Sequence, residues 1–293
     1  MMMKRIFYLP VRLIASLLGF VIVVNIPILL TFNPYQNKIE IKYSFFKEYV
    51  KSNITWFTHI DEYPFIVNYL KGPGMEKYFY TMTILSISLL IVSLLGLLIA
   101  TSIMLLPLNV RNRFSNFIDF TTTAPDLLVV FLLQYLVIYL YRNFDLNIFQ
   151  LYGGAESRPY FVPILIIVFL PTLFLIQHLL KEFMNEEHQD YVLLARAKGL
   201  PLRTIYFKHI LRNIVPYIFI HLKTIIWFML SNIFIVEHLL NIDGYSAVLQ
   251  SMYGTRVVVF VVGLLLFAIP LLIINVLASI VIMHQKRKET TSL

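Results

Sequence analysis

The chain has 293 residues, of which 59% are apolar and only 14% charged, with a mean hydropathy of +0.77, and no water-soluble fold of that size hides so much apolar surface. The formal charge of +8 is therefore expected on one side of a bilayer rather than as the mark of a nucleic-acid binder. Cysteine is absent, which excludes a disulfide framework, a thiol nucleophile and a thiolate metal site.

A hydrocarbon core of about 30 Å is crossed by about 20 apolar helical residues. Six such stretches occur, at residues 13–31, 82–106, 117–141, 160–180, 215–236 and 257–283. Lys4, Arg5 and Arg12 precede the first, whose apolar core is long and lacks a small-x-small cleavage site, so an uncleaved anchor is expected. Residues 32–81 then form a long polar segment, with room for a small external cap and with Gly72-Pro73-Gly74 as a turn before the second span. Asp119 and Asp126 lie early in the third span and Lys223 lies inside the fifth. The expected organisation is an anchor and external loop over 1–81, followed by a membrane core over 82–293. With the N-terminus in the cytoplasm, 14 Lys/Arg fall inside and nine outside, six of the nine in the long first loop. The positive-inside rule then places both termini in the cytoplasm.

The cytosolic connection 185–213 reads NEEHQDYVLLARAKGLPLRTIYFKHILRN and is expected to form a helix, a tight turn and a second helix. Asn185 serves as N-cap, Glu186 and Glu187 oppose the positive end of the helix dipole, and Arg196 and Lys198 occupy the last turn. Gly199 is the C′ residue and Pro201 the first position of the next helix. Ala195 and Ala197 are small, so a partner can approach the backbone. An amphipathic loop resting on lipid headgroups through its basic residues satisfies the same features.

Asp190-Tyr191-Val192, then Ala195-Arg196-Ala197-Lys198-Gly199-Leu200, then Arg212-Asn213 and Pro216, resemble the EAA loop of ABC-importer permeases, in the form typical of the dipeptide, oligopeptide and nickel branch. Val162-Pro163, Leu170-Pro171 and Val236-Glu237 with Gly244 extend the resemblance over 159–288. Leu193 and Leu194 stand at the first two EAA positions, and Ile242-Asp243 replaces the usual residue-Pro pair before Gly244. The resemblance implies an all-α membrane protein of the ABC type I permease fold, with about six transmembrane helices and a cytosolic coupling helix-turn-helix.

It also implies a subunit of an ATP-driven importer for peptides or a nickel chelate, located in a bacterial cytoplasmic membrane. Two ATP-binding subunits, a second homologous permease and an external solute-binding protein are the implied partners. The chain contains no G-x-x-x-x-G-K-[ST] phosphate loop, so it is not expected to be an enzyme or to bind a cofactor, and ATP with its Mg falls to the partner ATPase. The implied ATPase-coupling residues are Asp190, Tyr191, Ala195, Arg196, Ala197, Lys198, Gly199, Leu200 and Pro201. Glu237, at the external end of the fifth helix, is implied in gating or docking.

Polar groups inside the spans are the candidate pathway residues, because an unpaired charge in hydrocarbon costs at least about 2.5 kcal/mol. Lys223 either contacts an anionic substrate group or snorkels to the headgroups. Asp126 either caps a helix or pairs with Arg111 or Arg113. Asn232, with Gln134 and Ser231, either lines the path or bonds across helices. The seven histidines show no metal-ligand spacing. An ATP-independent transporter or channel and a membrane structural or signalling subunit remain as alternative classes.

Overall fold

The computed structural model describes residues 19, 22–23, 25–33, 38–58, 72–144, 153, 158–253 and 257–291. Among these, five helices are long and apolar enough to cross a membrane: Pro73–Met104, Asp126–Asn143, Phe161–Glu187, Leu202–Leu239 and Val262–Val281. They correspond to the second to sixth expected spans. The first, 13–31, lies largely outside the described residues, and its end is not α-helical: Ile26–Leu29 is a 3-10 turn and Leu30–Asn33 a strand.

The chain divides into two compact units, residues 1–76 with 247–267 and residues 77–246 with 268–293. In the first, β1 (Leu30–Asn33) and β2 (Lys38–Ile41) form an antiparallel hairpin that pairs Leu30 with Ile41 and Asn33 with Lys38. Helix α1 (Tyr43–Thr58) follows.

The second unit is helical. Helix α2 (Pro73–Met104) starts at Pro73, whose fixed φ and missing N–H suit a first helical position. The expected loop 32–81 therefore ends at Gly72, and residues 73–81 are helix. At 1.5 Å per residue, the 32 residues of α2 outrun the bilayer core. Helix α3 (Leu108–Thr122) is separate from α4 (Asp126–Phe144). The expected third span, 117–141, is thus corrected to 126–143. Pro125 cannot donate to the ladder and forces the preceding residue out of the helical region, and Asp119 consequently belongs to α3.

Helix α5 (Phe161–Glu187) carries Pro171 inside it, and the short α6 (Asp190–Ala197) follows. Helix α7 (Leu202–Leu239) contains a π-helical stretch at Ile205–Ile210. Then come α8 (Tyr245–Tyr253) and α9 (Val257–Phe267), which from residue 247 to 267 belong to the first unit, and α10 (Ile269–Thr291), which belongs to the second. The expected single span 257–283 is interrupted at Ala268, two residues before Pro270, which has no N–H to continue the ladder.

The core of this unit is α5 packed on α7, with α10 against α7 and α3 against α5. Leu175, Ile176, Leu179 and Phe183 of α5 and Met229 and Ile233 of α7 are among its most completely buried side chains. Gly96 of α2 lets Leu175 close in: a Cβ there would lie 2.6 Å from the leucine Cδ2.

Candidate functional site

Asn185, Glu186 and Glu187 end α5 rather than open α6, which corrects the expected N-cap. The chain leaves the helix at Gln189, the residue before α6, with extended backbone (ψ 146) and no side-chain cap bond. Asp190 supplies the negative charge in the first turn of α6 that favours a helix N-terminus.

The other end of α6 closes as its sequence requires. Leu200 N–H bonds to Ala195 O (3.3 Å) and Gly199 N–H to Arg196 O (2.9 Å), the pair of bonds of a Schellman cap. Gly199 adopts φ +73, a left-handed conformation that strains residues with a Cβ. Pro201, expected at the first helical position, is instead the N-cap of α7, with φ −65 and ψ 145.

Ala195, expected to admit a partner, is buried within the chain. Ala197 is exposed, along with Leu193, Leu194 (58% exposed), Lys198 and Leu200. The two leucines that depart from the EAA pattern therefore form an outward apolar face.

The α5 carboxylates hold the inner side of the loop. Glu186 accepts a hydrogen bond from the Tyr191 hydroxyl, and from Asn213 Nδ2 at 3.5 Å. Burial, then the bond to Glu186, raise the pKa of Tyr191, which keeps it a donor. Glu187 accepts from the Tyr206 hydroxyl, from Arg111 Nη1 (3.1 and 3.3 Å) and from Arg196 Nη2 (3.5 Å). The side chains of Arg111 and Glu187 are only 13% and 12% exposed. Arg111 thus pairs with Glu187 and not with Asp126, which opens α4 in the first turn. Asp119 instead accepts from Gln177 Nε2 at 2.6 Å.

At the far end of α7, Glu237 is fully buried. It accepts from Thr81 Oγ1 (2.5 Å) and from Ser246 N–H (2.9 Å), and Thr81 Oγ1 in turn accepts from Tyr245 N–H (2.9 Å). The Thr81 hydroxyl and the carboxylate therefore satisfy the first two amides of α8, Tyr245 and Ser246 respectively, which have no intrahelical acceptor. Gly244 is required beside it, because a Cβ there would collide with the carboxylate. Asp243 bonds Lys77 at 2.5 Å. Gly153 N–H bonds to Leu240 O at 3.0 Å and lies too close to Asn241 and Ile242 to carry a side chain.

The remaining candidates do not converge. Lys223 is exposed on α7 and Asn232 is buried in it. Among the described residues, no hydrogen bond or ion pair joins Lys223, Asn232, Asp126 and Glu237 to one another. His178 and His221 meet with ring centroids 4.6 Å apart, and His221 Nε2 lies 3.6 Å from Glu182. An apolar crevice of about 360 Å³ lies among Met82, Leu85, Leu89, Ile226, Ile273 and Ile274 and contains none of these candidates. Thr81 and Tyr206 carried no signal in the sequence; Arg111 stood out only as an inside charge and a candidate partner of Asp126, and Glu187 only as a charge at the start of the following helix, not as partners of one another.

Residues 92–289 match the family described as "Binding-protein-dependent transport system inner membrane component". The match covers well over half of the chain, which belongs to this family, the membrane permeases of ABC importers, with their all-α type I fold and several membrane spans. Over 111 residues the chain is 29% identical to the dipeptide transport system permease protein DppB of Lactococcus lactis subsp. cremoris. That stretch spans 38% of this chain and 37% of the relative.

Proposed function

We propose that this chain forms half of the translocation path of an ATP-driven importer, and that α6 receives the push of a separate ATPase. The observation that carries this reading is the α6–Gly199–α7 joint. It has a capped, stiff helix with an apolar outer face of Leu193, Leu194 and Ala197, set beside the part-buried Arg111–Glu187 ion pair, in a chain without a phosphate loop of its own. Apolar faces rimmed by polar residues mark protein contacts. Closure of two ATPases would rock this chain against a second, homologous permease, a rigid-body transition that needs a lever which does not bend.

The partial likeness to a dipeptide permease supports a peptide or similar small solute, delivered by an external binding protein. ATP and Mg belong to the ATPase, and the chain itself needs no cofactor. Glu237 shapes the external end through the turn and helix it holds. Both termini and residues 182–213 lie in the cytoplasm in this scheme, and residues 32–81 outside. The chain has no native cysteine, so single cysteines report cleanly: Lys51→Cys is expected to react with an impermeant maleimide only from outside, and reaction only from the cytosolic side overturns the orientation. Reconstituted with its ATPases, permease partner and binding protein, the chain is expected to import dipeptide only when ATP is supplied. Equal uptake without ATP would favour a channel or secondary transporter.

A further inference from the structure

We infer that Glu187 is a positioning residue that locks α3 to the coupling loop, so that motion delivered at α6 reaches the connection between α2 and α4 as well as α7. This rests on the coupling reading above. The two carboxylates at the end of α5 differ in what they touch. Glu186 bonds Tyr191 of α6 and Asn213 of α7, tying the loop to itself. Glu187 bonds Arg196 of α6 and Tyr206 of α7 and also Arg111 of α3, 76 residues away in sequence. It is the carboxylate through which all of these elements meet.

The lock is hard to open. Arg111 and Glu187 keep only 13% and 12% of their side chains exposed, and charges so far withdrawn from water are disfavoured without their partners. Among the described residues Arg111 Nε is buried without a partner, and Glu187 is the carboxylate that its guanidinium meets, through Nη1. Tyr206 sits in the π-helical stretch, packs on Phe183 of α5 at a ring-centroid distance of 6.0 Å, and is almost wholly buried. An extra residue per turn of this kind is a common device at functional sites. Leu193 and Leu194 point outward, so Glu187 can be altered without touching the face proposed for the ATPase.

The test uses the whole transporter with paired spin labels at Asn116→Cys on α3 and Lys208→Cys on α7, both exposed positions. In the otherwise unmodified chain the distance between labels is expected to be the same with and without ATP. In Glu187→Gln, which removes the charge and keeps the shape, ATPase subunits are expected to co-purify as before. The label distance should then shift or broaden on ATP addition, and uptake of dipeptide per ATP hydrolysed should fall about tenfold, within the range of coupling between sites. Glu187→Asp, which keeps the charge, should restore a single distance. An ATP-dependent distance in the unmodified chain, or an invariant one in Glu187→Gln, overturns the inference while leaving the coupling reading intact. Failure of the ATPase subunits to co-purify with the unmodified chain overturns the coupling reading itself.

Discussion

Two carboxylates, the part-buried Glu187 beside the start of α7 and the fully buried Glu237 at its end, are stabilised by different means. Glu187 is surrounded by guanidinium groups and a tyrosine hydroxyl from other helices. Glu237 takes a hydroxyl and a main-chain amide, and among the described residues no cation bonds it. Long cationic side chains join elements that are distant in sequence, so the first arrangement can pass motion from one helix to another. Amide donors at a helix start fix one turn in place, so the second arrangement holds a shape. The same residue type thus joins separate helices at one end and fixes local geometry at the other.

That contrast is sharpest at Glu237. Glu237→Ala strands the Thr81 hydroxyl and the Ser246 amide, each worth about 1–3 kcal/mol when buried without a partner. The detergent-solubilised protein should melt markedly lower while the ATPase still co-purifies, and an unchanged melting temperature would refute the capping role. Gly244→Ala should act at the same place with a smaller effect, about 1–3 kcal/mol from forcing a methyl against the carboxylate. In Glu237→Ala the room left by the carboxylate should make that substitution nearly neutral, a non-additivity that a double-mutant melting series reads directly.

At the other end, Gly199→Ala meets no steric neighbour within 4 Å, so only its left-handed backbone opposes it, by about 1–2 kcal/mol. Its effect should appear in ATP-dependent uptake more than in melting, and a melting shift without an uptake change would reverse the assignment. The smallest effect is expected for Lys77→Ala, because its partner Asp243 is 65% exposed and such pairs contribute about 0–1 kcal/mol. A loss approaching that of Glu237→Ala would mean the turn before α8 is held by charge instead.

Much of this was legible in the sequence where a single residue carries the signal. Gly199 announces a left-handed C′ position and the structure shows it, and five of the apolar stretches are long helices. Errors arose where proline acts on a hydropathy average. Residues 117–141 look continuous in apolar content, yet Pro125 splits them, and Pro270 interrupts the last stretch in the same way. Glu186 and Glu187 were misassigned because acidic residues before a short helix suit its dipole equally well as they suit the end of the preceding helix. Only packing against Tyr206 and Arg111 decides between the two. The Thr81–Glu237 bond spans 156 residues, and nothing local in either segment reveals it. Ala195 illustrates the same limit: its size suits close approach, but the chain's own core takes that space.

In the proposed scheme α6 presents Leu193 and Leu194 to an ATPase and the Gly199 turn sets their angle. The most direct measurement is cysteine cross-linking from Leu194→Cys, on an exposed position in a chain without native cysteine, to the co-expressed ATPase, carried out with Gly199 intact and with Gly199→Val. The account predicts an efficient cross-link with Gly199 and a weak one with valine, at equal membrane insertion and with uptake lost in parallel. Equal cross-linking and full uptake with valine at position 199 would contradict it.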